Sequence, residues 1–186
     1  MGNAQASQDR ILEAAMAEFS AHGIAGARVD RIAAMAGCNK NLIYIYFKSK
    51  ENLFTTLLQK HLGRIYEAAA FDPEDLPGYA VQVFDCAMAN PDLMRLLTWF
   101  SLEQTTAAPS GRRAAMNVKL KALAEAQASG KVGKTFSPGF ILTLVMTVAT
   151  AWTAANPFGP LLDPDAIKHK AALRKRIALA VESLIK

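Results

Sequence analysis

The stretch Val29-Asp-Arg-Ile-Ala-Ala-Met-Ala-Gly-Cys-Asn-Lys-Asn-Leu-Ile-Tyr-Ile-Tyr-Phe47 constrains this chain more than any other part of it. Val29, Ile32, Ala33 and Ala36 fall on one face of a short helix, and Gly37 supplies the turn that ends it. Asn39 can cap a following helix, on which Ile43 and Phe47 face inward. Two short amphipathic helices joined this tightly must share one small core, which is the helix-turn-helix pattern. The second helix carries Lys40, Asn41, Tyr44 and Tyr46 and no acid. From Arg31 to Lys50 there are four bases (Arg31, Lys40, Lys48, Lys50) and again no acid. This is the local chemistry of a helix that enters a DNA major groove.

The pattern is helical along the whole chain, with no alternating β-branched run. Ile11, Leu12, Ala15, Met16 and Phe19 make one apolar face, stopped at His22-Gly23. Ser49 can cap a long connector helix through Leu53, Leu57, Leu58, Leu62 and Ile65. Asp72-Pro-Glu-Asp-Leu-Pro-Gly78 reads as a linker. Asn90-Pro91, Ser137-Pro138 and Asp163-Pro164 each place a capping side chain before a proline, so helices are expected to start near 91, 138 and 164. Another should run from about 110 to 128, ending at Ser129-Gly130. The expectation is an all-α chain of about nine helices. Residues 5–50 form a helix-turn-helix domain with a connector helix over 50–70, and 71–186 form a second helical domain.

Charge and composition narrow the function classes. The formal charge of +5 favours an anionic partner, but the excess is spread along the chain rather than gathered at the helix-turn-helix. Cys38 and Cys86 make no disulfide framework and no metal spacing, and no secretory leader opens the sequence, so a cytoplasmic location is expected. Ser137–Asn156 is charge-free and nearly as long as a membrane span. Its threonines at 143, 147, 150 and 153 and its alanines suit a soluble helix buried from two sides better. No catalytic constellation, cofactor motif or metal set stands out, so neither enzyme nor cofactor is expected.

A recognition helix needs residues that reach base edges and residues that grip phosphates. Lys40 can donate to guanine O6 and N7, and Asn41 can pair with adenine. Tyr44 lies one turn on and shares their face. Tyr46, Lys50 and Arg28 are placed for phosphate oxygens.

Ile11-Leu-Glu-Ala-Ala15, Phe19, Gly23, Val29, Ile32-Ala33, Ala36-Gly37, Ile43-Tyr44 and Tyr46-Phe-Lys-Ser-Lys-Glu51 resemble the N-terminal domain of TetR-family transcriptional regulators. The resemblance covers roughly residues 7–60. It implies a three-helix DNA-binding head, a helical ligand-binding body and a homodimer held by the last two long helices. By matching position, base contacts fall on Lys40, Asn41 and Tyr44, and phosphate contacts on Arg28, Tyr46 and Lys50. Three positions depart from the family's usual pattern. Arg28 and Leu42 stand where a small hydroxyl residue is usual, and Asn41 stands where glycine or another small residue is frequent. Ile45 either meets a thymine methyl or is simply exposed. Operator sequence therefore does not carry over.

For the body, large apolar side chains on the middle helices are the candidate ligand pocket: Phe84, Met88, Leu97, Trp99, Phe100, Met116, Leu120, Met146 and Trp152. Asp85, Glu103, Gln104 and His61 are candidate polar contacts. On helix 138–156, Phe140, Leu144, Val148 and Trp152 are expected to face the chain's own body, and Ile141 and Val145 a partner. The final helix is expected to bury Ile167, Ala171, Ala178, Val181 and Ile185. The reading is a dimeric regulator, a repressor released from a duplex operator by a small hydrophobic or amphipathic effector, with no membrane partner. The alternatives are a DNA-binding regulator without such a ligand, and a helical carrier of hydrophobic molecules or an enzyme.

Overall fold

The computed structural model describes residues 2–68, 70–103 and 112–185. Among these residues it is all helical, with ten α-helices, one short 3-10 helix and no strand. Helices α1 (Gly2–Gly26), α2 (Val29–Ala36), α3 (Lys40–Phe47) and α4 (Lys50–Ala68) are followed by α5 (Leu76–Ala89) and α6 (Pro91–Glu103). Then come α7 (Arg112–Ala128), α8 (Pro138–Thr150), α9 (Phe158–Leu162), the 3-10 turn Ala166–His169 and α10 (Lys170–Ile185).

Local chemistry explains most of the boundaries. Gly37 sits at φ 62° and closes α2 as a Schellman motif, with the Cys38 amide on Ala33 O and the Gly37 amide on Ala34 O. The Asn39 side chain accepts from the Asn41 amide and starts α3. Ser49 Oγ caps α4 through the Asn52 amide. Ser137 Oγ accepts from the Phe140 amide ahead of Pro138. Gly130 closes α7 with the same pair of bonds as Gly37.

Other boundaries differ from expectation. Half of the presumed linker belongs to α5, because Asp75 accepts from the Gly78 amide and Pro77 suits a first helical turn. Asn90 does not cap α6; its amide donates back to Cys86 O and closes α5 instead. No α-helix begins at Pro164. Asp163 ends the unforeseen α9, and a 3-10 turn intervenes before Lys170. Helix α8 stops at Thr150 rather than near 156. At 13 residues it is far short of a span, and no described helix is long and apolar enough to cross a membrane.

The chain divides into two compact units. The first holds the described residues up to Arg64 together with α6; the second runs from Ile65 to Pro91 and resumes at α7. Helix α6, expected in the C-terminal domain, instead packs its side chains with α1 and α4. Phe100 stacks on Phe54, which meets Phe19 edge-on, within a core of Ile11, Ile32, Ile43, Leu53 and Leu57.

The second unit packs Leu76, Tyr79, Phe84, Leu123, Ile141, Val145, Leu173, Ile177 and Val181 into one core. Two faces differ in part from those expected, although Val148 and Trp152 do pack on the chain's own core and Val181 is buried. Ile141 and Val145 are buried in the chain's own body, while Phe140 is exposed. On α10 the buried stripe is Leu173, Ile177 and Val181; Ala171 and Ile167 are exposed, and Ala178 and Ile185 are partly so. In both helices several apolar faces compete, and hydrophobic spacing alone does not rank them.

Candidate nucleic-acid interface

The turn between α1 and α2 is fixed by side chains from elsewhere in the first unit. Gly23 has φ 69° inside α1 and breaks its hydrogen-bond ladder. Freed groups on both sides are satisfied by α6. The Trp99 indole donates to Ser20 O at 3.2 Å, and the Glu103 carboxylate accepts from the Ile24 and Ala25 amides at 2.8 and 3.0 Å. A Cβ at residue 23 would collide with the Trp99 ring and the Glu103 carboxylate. Buried Glu18 accepts from the Arg28 amide and Arg31 Nε, both at 2.8 Å. Burial pushes its carboxyl upward, but the bonds and charges of Arg31, Arg28 and His22 prevail and hold it below the ordinary value.

On this base α3 buries Ile43 and Phe47 and turns its other face outward. Asn41 is exposed, Tyr44 is 40% exposed and Ile45 is 62% exposed. Met35 on α2 is exposed as well. Arg28 flanks this face as an exposed residue before α2. Lys40 is half-buried and paired with Asp30 at 2.9 Å. Tyr46 is half-buried beside the Phe47 ring. Lys50 donates to Ala27 O at 3.2 Å and Ala25 O at 3.4 Å, so it staples the α1–α2 turn. The six residues singled out in the sequence therefore lie on or beside two short helices. The acid-free window hid two partners, because Asp30, just before it, takes Lys40 and Glu18, on α1, takes Arg31.

Helix α3 ends abruptly. Lys48 has φ 69° and ψ −48°, and the Ser49 amide bonds Phe47 O at 2.8 Å. This is a γ-turn of the strained hand, and it leads straight into the Ser49 cap of α4.

The pocket candidates separate. Met116, Leu120 and Met146 line an open groove of about 490 Å³ in the second unit, with Leu142, Thr143, Thr147 and Thr150. The three threonine hydroxyls donate to carbonyls one turn back, at 2.7, 2.8 and 2.8 Å, which leaves oxygen lone pairs as their polar offering. Phe84 is fully buried core, with Met88 and Trp152 packed against it. Leu97, Trp99 and Phe100 belong to α6 in the first unit, where Trp99 and Phe100 pack on α1 and α4. Asp85 pairs with Arg174, and Glu103 serves the α1 turn. Gln104 and the side chain of Ile65 lie outside the described residues. Among the described residues no group of acids, histidines or cysteines could hold a metal.

Comparison with known proteins bears on both units. The family described as bacterial regulatory proteins, tetR family, matches residues 11–57. A tetracyclin repressor-like C-terminal domain matches residues 75–182. The transcriptional repressor SCO4008 of Streptomyces coelicolor is 37% identical over 82% of this chain and 81% of its own length. The repressor NicS of Pseudomonas putida is 32% identical over 54% of this chain and 51% of its own. Among solved structures, the Streptomyces coelicolor transcriptional regulator SCO4942 superposes with a TM-score of 0.84 at 36% identity, covering 96% of this chain and 98% of that one.

Proposed function

The chain belongs to the TetR family of bacterial DNA-binding transcriptional regulators, and on that premise we propose that it is a repressor released from its operator by a small effector. Lys40, Asn41 and Tyr44 read base edges in the major groove. Arg28, Tyr46 and Lys50 hold the phosphates. The observation that carries this reading is a capped recognition helix with one face in the core and Asn41, Tyr44 and Ile45 open to solvent.

A homodimer presents two such helices about 34–36 Å apart, the spacing of successive major grooves. Support comes from apolar side chains left in solvent on the second unit: Phe140, Phe158, Leu161, Leu162 and Leu179. The effector is a small hydrophobic or amphipathic molecule, and the groove walled by Met116, Leu120 and Met146 is its site. Effector and DNA then oppose each other with a coupling of about 1–3 kcal/mol.

Selection from a random duplex pool tests the DNA reading directly, and should return a palindromic sequence. Failure to enrich any sequence overturns it. A groove ligand that binds free and DNA-bound protein equally overturns release by effector.

A further inference from the structure

We propose that Asp30 is a specificity-determining residue, which pairs with Lys40 and so keeps the recognition helix from gripping DNA indiscriminately. The proposal rests on the reading that Lys40 meets base edges.

The geometry is specific. Asp30 is the second residue of α2 and Lys40 the first residue of α3, so their pairing bridges the turn between the two helices. Both carboxylate oxygens reach the ammonium, Oδ1 at 2.9 Å and Oδ2 at 3.0 Å. A lysine ammonium has three N–H bonds and swivels on a flexible stem. The two oxygens of one carboxylate subtend too narrow an angle to take separate N–H bonds, so the pair engages one N–H, on Oδ2, and sets a carboxylate charge directly against the ammonium. An unpaired lysine finds a phosphate on any duplex. A lysine paired this way has its charge offset, and gains most where a guanine acceptor lies within reach of its free N–H bonds.

Charge points the same way. The Asp30 side chain is 71% exposed and that of Lys40 43%, so the pair adds little stability in water. Its effect appears when phosphates approach. The carboxylate cancels the cation toward phosphates at a distance and repels them itself, which lowers affinity for every sequence alike. Direct contact with a correctly placed base survives. This is discrimination by a repulsive element beside an attractive one.

The test uses full-length protein, a selected operator duplex and a scrambled duplex of equal length, with affinities measured across 50–200 mM salt. Asp30→Asn should bind the scrambled duplex about three- to tenfold tighter and steepen its salt slope by about 0.9 per protomer, as expected for one added phosphate contact. The operator-to-scramble ratio should fall correspondingly. Asp30→Glu keeps the charge and should keep that ratio within about twofold of the parent. In a Lys40→Ala background, Asp30→Asn should leave the slope unchanged.

Equal weakening of both duplexes by Asp30→Asn, the result of merely losing an acid at the α2 N-terminus, overturns the proposal. So does a steeper slope that persists without Lys40. If Lys40→Ala alone changes neither affinity, the base-contact reading of Lys40 has failed and the proposal goes with it. If Lys40→Ala lowers discrimination while Asp30→Asn does nothing, only the proposal fails.

Discussion

The two units use polar side chains in opposite ways. In the first, Glu18 from α1, Trp99 and Glu103 from α6 and Lys50 from α4 converge on the backbone of residues 20–28. In the second, the described side chain-to-backbone bonds are short-range, such as each threonine of α8 to the carbonyl one turn back and Gln127 to Gly133 and Phe136. Its long-range cohesion is mainly apolar. A unit that must hold a helix to the geometry of a DNA groove is fixed by directional bonds. The second unit is held by contacts with little directional demand.

That contrast can be broken experimentally, and the two tryptophans make it convenient. Trp99 reports the first unit and Trp152 the second, so Trp→Phe variants isolate each signal. The largest effects come from burial and collision. Leu173→Ala should cost the second unit about 2–5 kcal/mol in urea unfolding followed by Trp152. Gly23→Ala combines a left-handed φ with a clash against Trp99, and should cost the first unit about 3 kcal/mol followed by Trp99. If Gly23→Ala leaves the Trp99 transition in place, the convergence on residues 20–28 is decorative.

Next come two opposite pH responses. The Glu18 carboxyl is lowered on folding, so its stabilisation is present above the unfolded value of about 4.3 and is lost as pH falls through the folded one. Glu18→Gln should be less stable near neutrality and flatten the acid limb of the Trp99 transition. In the second unit Lys119 is buried, bonded to the Tyr79 hydroxyl and set over the Tyr79 ring, and burial lowers its pKa. The unfolded chain then holds the extra proton. Stability of the Trp152 transition should rise as pH climbs from the folded value toward about 10.4, and Lys119→Met should remove that rise. The smallest effect is Lys48→Gly, which relieves the positive φ and should stabilise the first unit by about 1 kcal/mol.

The same contrast explains what was legible in the sequence. Caps and turns announce themselves through one residue, as Asn39, Gly37, Ser49 and Ser137 did, because a side chain bonding its own neighbourhood needs no tertiary information. Long-range pairs leave no such mark. Nothing local says that Glu103 serves the α1 turn, that Trp99 belongs to the first unit, or that Asp30 closes on Lys40. The faces of α8 and α10 are only partly legible, because each helix carries apolar residues on more than one side. The solvent-facing ones, Phe140 and Leu179, look no different in sequence from Val145 and Val181.

The γ-turn at Lys48 has a mechanical consequence. It joins the recognition helix to α4 through a single strained residue, with no loop to absorb displacement. Helix α4 has 19 residues and is therefore about 28 Å long. Pivoting such a rod by about 4° at its far end sweeps its tip through about 2 Å. Two tips moving oppositely in a dimer would open or close their separation by about 4 Å, more than one base-pair step against a 34–36 Å register. A stiff joint on a long lever turns a small tilt into a mismatch measured in base pairs.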